Sequence, residues 1–503
     1  MNKTANTTTK IPTRKPNQWL GLILGPLCFV LILTLVDLEG LSEQGHAVLA
    51  STVWIAIWWI SEAIPIAVTS LLPIVLFPLT GGLELSETTA SFGHKYIFLY
   101  IGGFMLAIAI ERWNLHRRIA LSIINLIGTS MKRIVLGFML ATAFLSMWIS
   151  NTATSVMMIP IGLAIITQLK DNPDTEEDEN KLFGKMLMLA IAYSASIGGL
   201  STLIGTPPNL VLAGILSELY DVEISFSKWI MFGLPVSVIL LAICWWYLTN
   251  RAFTLKMESF PGGRPEIERQ LASLGPISVQ ERRVLLIFAL TAIAWISRSF
   301  LLQPLIPAID DTIIAVCAGF SLFLIPASAK NGRALITWGE AVKLPWGILL
   351  LFGGGLALAE GFQSSGLAVY IGEQMASLKG IALLALLLIL VAAVNFLTEI
   401  TSNLATTAMM LPILAPLAFS IGVHPYLLMV GTTVAASCAF MLPVATPPNA
   451  VVFGSGYLKI FDMVRVGIWM NILSILLITA IVYWILPVLW NFDPFVFPAG
   501  WTE

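Results

Sequence analysis

The sequence predicts an all-α polytopic membrane protein built from two inverted repeats, with about 11 transmembrane helices and two re-entrant helical hairpins. Three observations carry that reading. Of the 503 residues, 57% are hydrophobic and only 11% are charged, where a soluble domain carries roughly 25% charged residues. The apolar residues fall into blocks such as Trp19 to Val36, Trp229 to Leu248 and Val466 to Trp490, each able to cross a hydrocarbon core that takes about 20 helical residues. Finally, Ser150 to Ile161, SNTATSVMMIPI, returns as Ser402 to Ile413, SNLATTAMMLPI, with eight of twelve positions identical.

The elements follow in chain order. Residues 1–18 form a tail with Lys3, Lys10, Arg14 and Lys15, which the positive-inside rule places in the cytoplasm. The first half, 19–250, has spans starting near 19, 47, 64, 97, 186 and 229, with a re-entrant hairpin at 134–169 and a broken helix at 186–216. A cytoplasmic linker, 251–283, contains Pro261, Gly262, Gly263 and Pro265, the composition of a loop between halves. The second half, 284–490, has spans starting near 284, 312, 346, 426 and 466, a hairpin at 381–420 and a broken helix at 426–456. Residues 491–503 are an external tail. Basic loops at Arg112 to Arg118, Arg251 to Arg283 and Lys330 to Lys343 alternate with loops at Asp37 to Gln44, Leu83 to Ser91 and Ser217 to Glu223 that hold acids and no basic residue. Counting either hairpin as a full crossing breaks this alternation. The acid-rich insertion Asp171 to Lys181 reads as a solvated loop.

The duplication extends beyond the hairpins. Ile101-Gly102-Gly103 matches Phe352-Gly353-Gly354, and Thr206-Pro207-Pro208-Asn209 matches Thr446-Pro447-Pro448-Asn449. Five crossings separate the two hairpins, so they enter from opposite sides and the repeats are inverted. Inverted repeats with helices broken near the midplane are a recurrent plan of secondary transporters.

Composition also excludes functions. A net charge of −2 gives no footprint for nucleic acid. Cys28, Cys244, Cys317 and Cys438 lie singly in apolar stretches, and His46, His94, His116 and His424 form no metal-ligand pattern. What remains is the chemistry of broken helices. Non-helical backbone survives at membrane depth only where it is buried in protein or lines a polar cavity. Thr206 and Thr446 before Pro-Pro read as helix N-caps with proline at the first helical position, and Asn151 and Asn403 stand where a cap precedes a helix. Four helix N-termini could thus converge, each with free N–H groups and partial positive charge suited to carboxylates. No Asp, Glu, Lys or Arg occurs in Ile134 to Leu169, Met186 to Ser217 or Ile400 to Leu458. A bound dianion there must be met by helix ends, hydroxyls, amides and co-bound cations. Ser146 and Thr398, four residues before Ser150 and Ser402, add hydroxyls on the same helix face, so the tips read as sites for a hard cation such as Na⁺. Among the acids in or beside spans, Glu62, Glu111 and Glu399, Glu111 abuts Arg112 and reads as structural. Glu399, whose repeat partner is Met147, also reads as structural.

These residues resemble the divalent anion:sodium symporter family, whose mark is a Ser-Asn-Thr motif at each hairpin tip. Here it is Ser150-Asn151-Thr152 and, imperfectly, Ser402-Asn403-Leu404, joined by Glu62-Ala63-Ile64-Pro65 and both Thr-Pro-Pro-Asn segments. The resemblance implies a homodimer in membrane lipid, an elevator motion, sodium ions as the driving ion and succinate, malate or fumarate as substrates. Carried over by position, one sodium site uses Ser146, Ser150, Asn151 and the carbonyl of Gly205. The other uses Thr398, Thr401, Asn403 and the carbonyl of Ala445. Substrate carboxylates then meet Asn151, Thr152 and Thr206 on one side and Ser402, Asn403, Thr446 and Pro447 on the other, with Leu404 in place of a hydroxyl.

Rival functions are weighed against the same residues. A sodium-independent dicarboxylate exchanger needs a fixed positive charge, and the tips contain no Lys, Arg or His. An intramembrane enzyme needs a nucleophile with a base or paired acids, which the charge-free hairpins lack. An inorganic anion symporter, for sulfate, is separated only by a substrate panel. The expectation is a multi-pass inner-membrane carrier that brings C4 dicarboxylates into the cell with sodium.

Overall fold

The computed structural model describes residues 15–128, 130–168, 179–253, 263–328 and 332–501. Lys3, Lys10 and Arg14 of the basic tail, the acids between 171 and 178, Pro261 and Gly262 of the linker, Lys330 and Glu503 lie outside the described residues.

The fold is all-helical. The first half runs α1 (Pro16–Leu35), α2 (Glu43–Ser61), α3 (Ile66–Thr69), α4 (Leu72–Thr80), α5 (Leu85–Ala90), α6 (Lys95–Arg112), α7 (Leu115–Ile127), α8 (Met131–Ser146), α9 (Asn151–Ile166), α10 (Glu179–Gly199), α11 (Pro207–Tyr220) and α12 (Phe226–Tyr247). Helix α13 (Gly263–Ser273) lies between the halves. The second half follows as α14 (Val279–Ser297), α15 (Asp311–Leu324), α16 (Trp338–Ala341), α17 (Trp346–Ser364), α18 (Leu367–Gln374), α19 (Leu383–Leu397), α20 (Asn403–Ile421), α21 (Pro425–Ala436), α22 (Pro447–Phe453), α23 (Ile460–Ala480) and α24 (Leu486–Trp490). Among the described residues, eight helices are long and apolar enough to cross a membrane, and shorter apolar helices such as Ile66–Thr80 and Asp311–Leu324 supplement them. On α14, Leu286, Leu290 and Ile293 are each more than half exposed, a stripe that would aggregate in water and is ordinary against lipid.

Local sequence explains the departures from plain spans. Glu62 ends α2 in the left-handed region at φ 48°, and Pro65 caps α3, so the stretch after residue 62 is bent rather than straight. The 251–283 connection is not a plain loop, because residues 263–273 are helical. Arg264 pairs with Glu268 at 2.8 Å, four residues on, and Arg269 pairs with Glu266, a spacing that supports an exposed helix. Helices α7 and α18 were hidden in the sequence by the charged loop before one and the glycine before the other. Each opens at a left-handed residue, Asn114 at φ 56° and Gly366 at φ 75°.

Packing repeats between the halves. Helices α8 and α9 pack on α10 as α19 and α20 pack on α21. The half-helices that open at Thr-Pro-Pro-Asn cross over: α22 packs on α9 of the first hairpin, and α11 packs on α20 of the second. That exchange ties the half-helix of each repeat to the hairpin of the other.

Candidate substrate and cation site

Each hairpin tip opens a helix. The caps of α9 and α20 are Ser150 and Ser402, so Asn151 and Asn403 occupy the first helical positions, one residue later than their motif suggests. Ser150 Oγ accepts from the Ala153 N–H at 3.2 Å. With the cap position filled by serine, both asparagine amides are free to turn inward.

They turn toward oxygens. Ser146 Oγ lies 2.5 Å from Asn151 Oδ1 and donates to the Ala195 carbonyl at 2.7 Å. The same Asn151 oxygen is 3.2 Å from the carbonyls of both Gly205 and Ala195. The second tip repeats the arrangement: Thr398 Oγ1 donates to Asn403 Oδ1 at 2.7 Å and to the Ala436 carbonyl at 2.9 Å. An amide oxygen aimed at carbonyl oxygens is unfavourable by itself, and turning Asn151 over would let its two N–H donors serve the oxygens of Ser146, Gly205 and Ala195. The orientation with oxygen inward suits a cation held among neutral oxygens, the ligand set of a hard ion. Among the described residues no group of three or more His, Cys, Asp or Glu could hold a metal.

Close backbone approach shapes the first cluster. A Cβ on Gly199 would stand 2.7 Å from Asn151 Oδ1, and one on Gly205 would stand 2.5 Å from the Gly199 carbonyl. Only glycine fits there.

The hydrogen bonds separate two sets of groups. Thr401 Oγ1 lies 2.9 Å from the Leu397 carbonyl, to which it donates, and 2.6 Å from the Thr406 hydroxyl. Ser146 and Thr398 are buried within the oxygen clusters. By contrast, the amide nitrogen of Asn403 and the hydroxyls of Thr152, Thr206 and Ser402 donate no hydrogen bond within the described protein. Thr206 and Thr446 cap α11 and α22 from extended backbone, with proline in the first turn, and Thr446 Oγ1 accepts from the Asn449 N–H at 3.3 Å. Uncommitted donors therefore flank both oxygen clusters. Pro447 is exposed beside them, whereas Leu404 is 7% exposed and belongs to the core.

Several participating groups carry no motif. The carbonyls of Ala195 and Ala436 are main-chain oxygens, visible in sequence only as neighbours of a coming break. Asn209 and Asn449, the last residues of the Thr-Pro-Pro-Asn segments, tie the breaks shut: Asn209 Nδ2 donates to the Thr202 carbonyl at 2.7 Å, and Asn449 Nδ2 to that of Leu442 at 3.0 Å. Their recurrence in both repeats was the available signal. Glu399 is 3% exposed and accepts from the N–H groups of Phe440 (2.8 Å), Met441 (2.9 Å) and Leu442 (2.9 Å) and from Asn471 Nδ2 (2.7 Å). It anchors the second break. In the first half the equivalent Leu200 and Ser201 N–H groups bond to Ile197 and Gly198 within their own turns.

Access to the tips differs at the two ends. On the side of the basic loops, cavities of about 520 and 340 Å³ share Asn114, His116 and Met157 and reach Ile149, Ala153 and Thr154 beside the first tip. Glu111 lines the inner cavity. Its neighbour in sequence, Arg112, pairs instead with Glu340, Nε to Oε1 at 2.5 Å. At the opposite end a groove of about 200 Å³ runs along Ala368, Val369, Pro412 and Pro416 and is lined by aromatics: Trp501 stacks on Tyr220 at 4.8 Å, and Phe497 meets Phe419 at 5.1 Å.

Comparison with known proteins agrees with this architecture. Residues 16–490 match the family model described as the sodium:sulfate symporter transmembrane region. The chain is 50% identical over 481 residues to a sodium-dependent dicarboxylate transporter, SdcS, of Staphylococcus saprophyticus, covering 95% of this chain and 93% of that one. It is 48% identical over 493 residues to SdcS of Staphylococcus aureus, covering 96% and 95%. Among solved structures, MtrF of Neisseria gonorrhoeae aligns with a TM-score of 0.58 at 12% identity over 96% of both chains. The YdaH transporter of Alcanivorax borkumensis gives 0.58 at 14% identity, covering 94% of this chain and all of that one. At such identities these two likenesses concern the fold alone.

Proposed function

Since the chain belongs to the divalent anion:sodium symporter family, we propose that it is a membrane carrier that moves small C4 dicarboxylates into the cell together with sodium. The relatives named as sodium-dependent dicarboxylate transporters support the substrate class and the coupling ion. The observation that carries the reading to named residues is the separation of groups at the tips. Oxygens of Ser146, Gly205 and Ala195 gather around the Asn151 amide, and those of Thr398, Asn403 and Ala436 converge at the second tip, while the Asn403 amide nitrogen and the hydroxyls of Thr152, Thr206 and Ser402 donate to no group of the described protein.

That division couples the two cargoes. With sodium among the acceptors, each asparagine is held with its nitrogen outward, ready for a carboxylate along with Thr152, Thr206 and Ser402. Without sodium, Asn151 gains hydrogen bonds by turning over and presents its oxygen to the substrate instead. Two carboxylates entering a charge-free, partly desolvated cavity are costly unless countercharge is present. Sodium therefore binds first, and reciprocity requires substrate to tighten sodium by the same factor. The face bearing the basic loops is cytoplasmic, the C-terminal tail lies outside, and two copies form a dimer whose hairpin-bearing parts move against a fixed frame. No step calls for bond chemistry, so the protein is a carrier and not an enzyme.

Uptake of labelled succinate into proteoliposomes tests the whole reading. Transport should require sodium, fail when potassium or choline replaces it, and show succinate affinity rising with sodium. Uptake that ignores sodium, or competition by sulfate and not by malate or fumarate, would overturn it.

A further inference from the structure

The charged residues of the cavity on the basic face have no counterpart at the other end. Asn114 and Gly366, the left-handed residues opening α7 and α18, align the two repeats there. Glu111, His116 and Arg117 then correspond to Gln363, Ala368 and Val369, and Pro160 and Ala164 to Pro412 and Pro416. Both sets line a cavity between hairpin and neighbouring helix. One is open and charged. The other is smaller, uncharged and lined by aromatic rings.

Four charged side chains line the open one. Arg269 and Glu266 neutralise each other through two contacts of 2.8 Å. His116 is held by its Nδ1 at 3.0 Å from the Ile110 carbonyl, and burial lowers its pKa, so it adds no charge near neutrality. Glu111 at the neck and Arg117 at the mouth remain, and neither forms an ion pair in the described protein. A dianion leaving the first tip passes a carboxylate that repels it and then reaches a guanidinium that fits a carboxylate in two-point contact. The outer cavity of about 520 Å³ is ample for a four-carbon acid.

We propose that Arg117 forms a second, release-side anion subsite for the dicarboxylate in the cytoplasmic vestibule, separate from the hairpin-tip site. It rests on the reading of the protein as a dicarboxylate carrier with its basic face inward. Low-dielectric walls focus the field of a lone charge, so the subsite raises the local concentration of dicarboxylate on the cytoplasmic side alone. It makes the carrier asymmetric toward its own substrate.

Inside-out vesicles and whole cells expose opposite faces and allow the test. Succinate KM is measured in both preparations for the wild type, Arg117→Gln and Arg117→Lys. The ratio of cytoplasmic to external KM should rise roughly three- to tenfold in Arg117→Gln, the range of a partly exposed charge-assisted contact, and less in Arg117→Lys. An unchanged ratio, or a rise in both KM values together, overturns the subsite while leaving the transport function intact. Absence of succinate transport by the wild type in either preparation overturns the function itself, and the subsite with it.

Discussion

Replacing Glu399 by Gln isolates the anchor of the second break. The carboxylate accepts four hydrogen bonds, three of them from consecutive N–H groups, Phe440, Met441 and Leu442, at 2.8–2.9 Å. Hydrogen bonds to a charged acceptor contribute about 1.5–3 kcal/mol, against about 0.5–1.5 for neutral pairs. Glutamine keeps one acceptor oxygen. Placed on the Phe440 and Met441 N–H groups, it leaves an NH₂ facing the Leu442 N–H, and an unpaired buried donor costs about 1–3 kcal/mol. Together the loss is roughly 2–4 kcal/mol. At about 1.4 kcal/mol per decade, the closed form of the loop falls by a factor of about 30 to 1,000. This loop leads into Ala445 and Thr446, so the deficit should appear as weaker sodium binding. The half-saturating sodium concentration for succinate uptake should rise at least about tenfold, while the purified variant keeps the elution volume of the wild type. Wild-type sodium dependence in Glu399→Gln would refute the argument, because the loop would then close without its anchor.

Other outcomes follow from the same geometry. Asn403→Ala removes an acceptor from the second oxygen cluster and a donor from the substrate side at once, and should abolish sodium-driven uptake in reconstituted protein that still elutes as wild type. Gly199→Ala places a methyl 2.7 Å from Asn151 Oδ1; sodium affinity should drop with little change in the succinate KM at saturating sodium, and equal shifts in both would argue against the placement. Glu340 tests acid stability outside the membrane. Burial pushes its carboxyl upward, but the Thr337 N–H, the Arg333 guanidinium and the Thr337 hydroxyl outweigh it and bring the pKa from 4.5 down to about 2. A depressed folded-state pKa contributes stability that is present above 4.5 and lost as pH falls toward 2. Thermal unfolding in detergent should therefore separate wild type from Glu340→Gln at neutral pH, with the gap closing across that window. Leu404→Thr should lower stability more than it changes substrate preference, since the side chain is buried in the core; a shifted preference in competition assays would show that it faces the substrate.

Sequence reasoning reached the parts of the site that recur as side chains. The tips, the Pro-Pro breaks and the helix-face partners Ser146 and Thr398 all declare themselves twice, and duplication turns weak signals into a pattern. Main-chain oxygens declare nothing, so Ala195 and Ala436 required coordinates. Glu399 reads as structural from its missing repeat partner, but its contacts lie more than 40 residues away on backbone N–H groups, which no periodicity encodes. The Thr401 hydroxyl, by contrast, bonds to the Leu397 carbonyl and the Thr406 hydroxyl, partners that its place in the motif did not announce. Helices α7 and α13 were missed because charge marks a segment as leaving the membrane without telling whether it coils or stays helical once outside.

The two breaks also bear on how the gene can vary. In the first, N–H groups close on carbonyls of their own turn, and Thr202 Oγ1 donates to the Met147 carbonyl at 2.5 Å. In the second, the residue at the place of Met147 is Glu399, and the closing groups belong to a distant strand of the polypeptide. Glu399 and its partners Phe440, Met441, Leu442 and Asn471 all belong to the second half, as Thr202 and Met147 both belong to the first, so each half carries the whole of its own closing device. The duplicated halves thus close their breaks by different means, and a substitution at Met147 and one at Glu399, matching positions of the repeat, bear on different sets of groups.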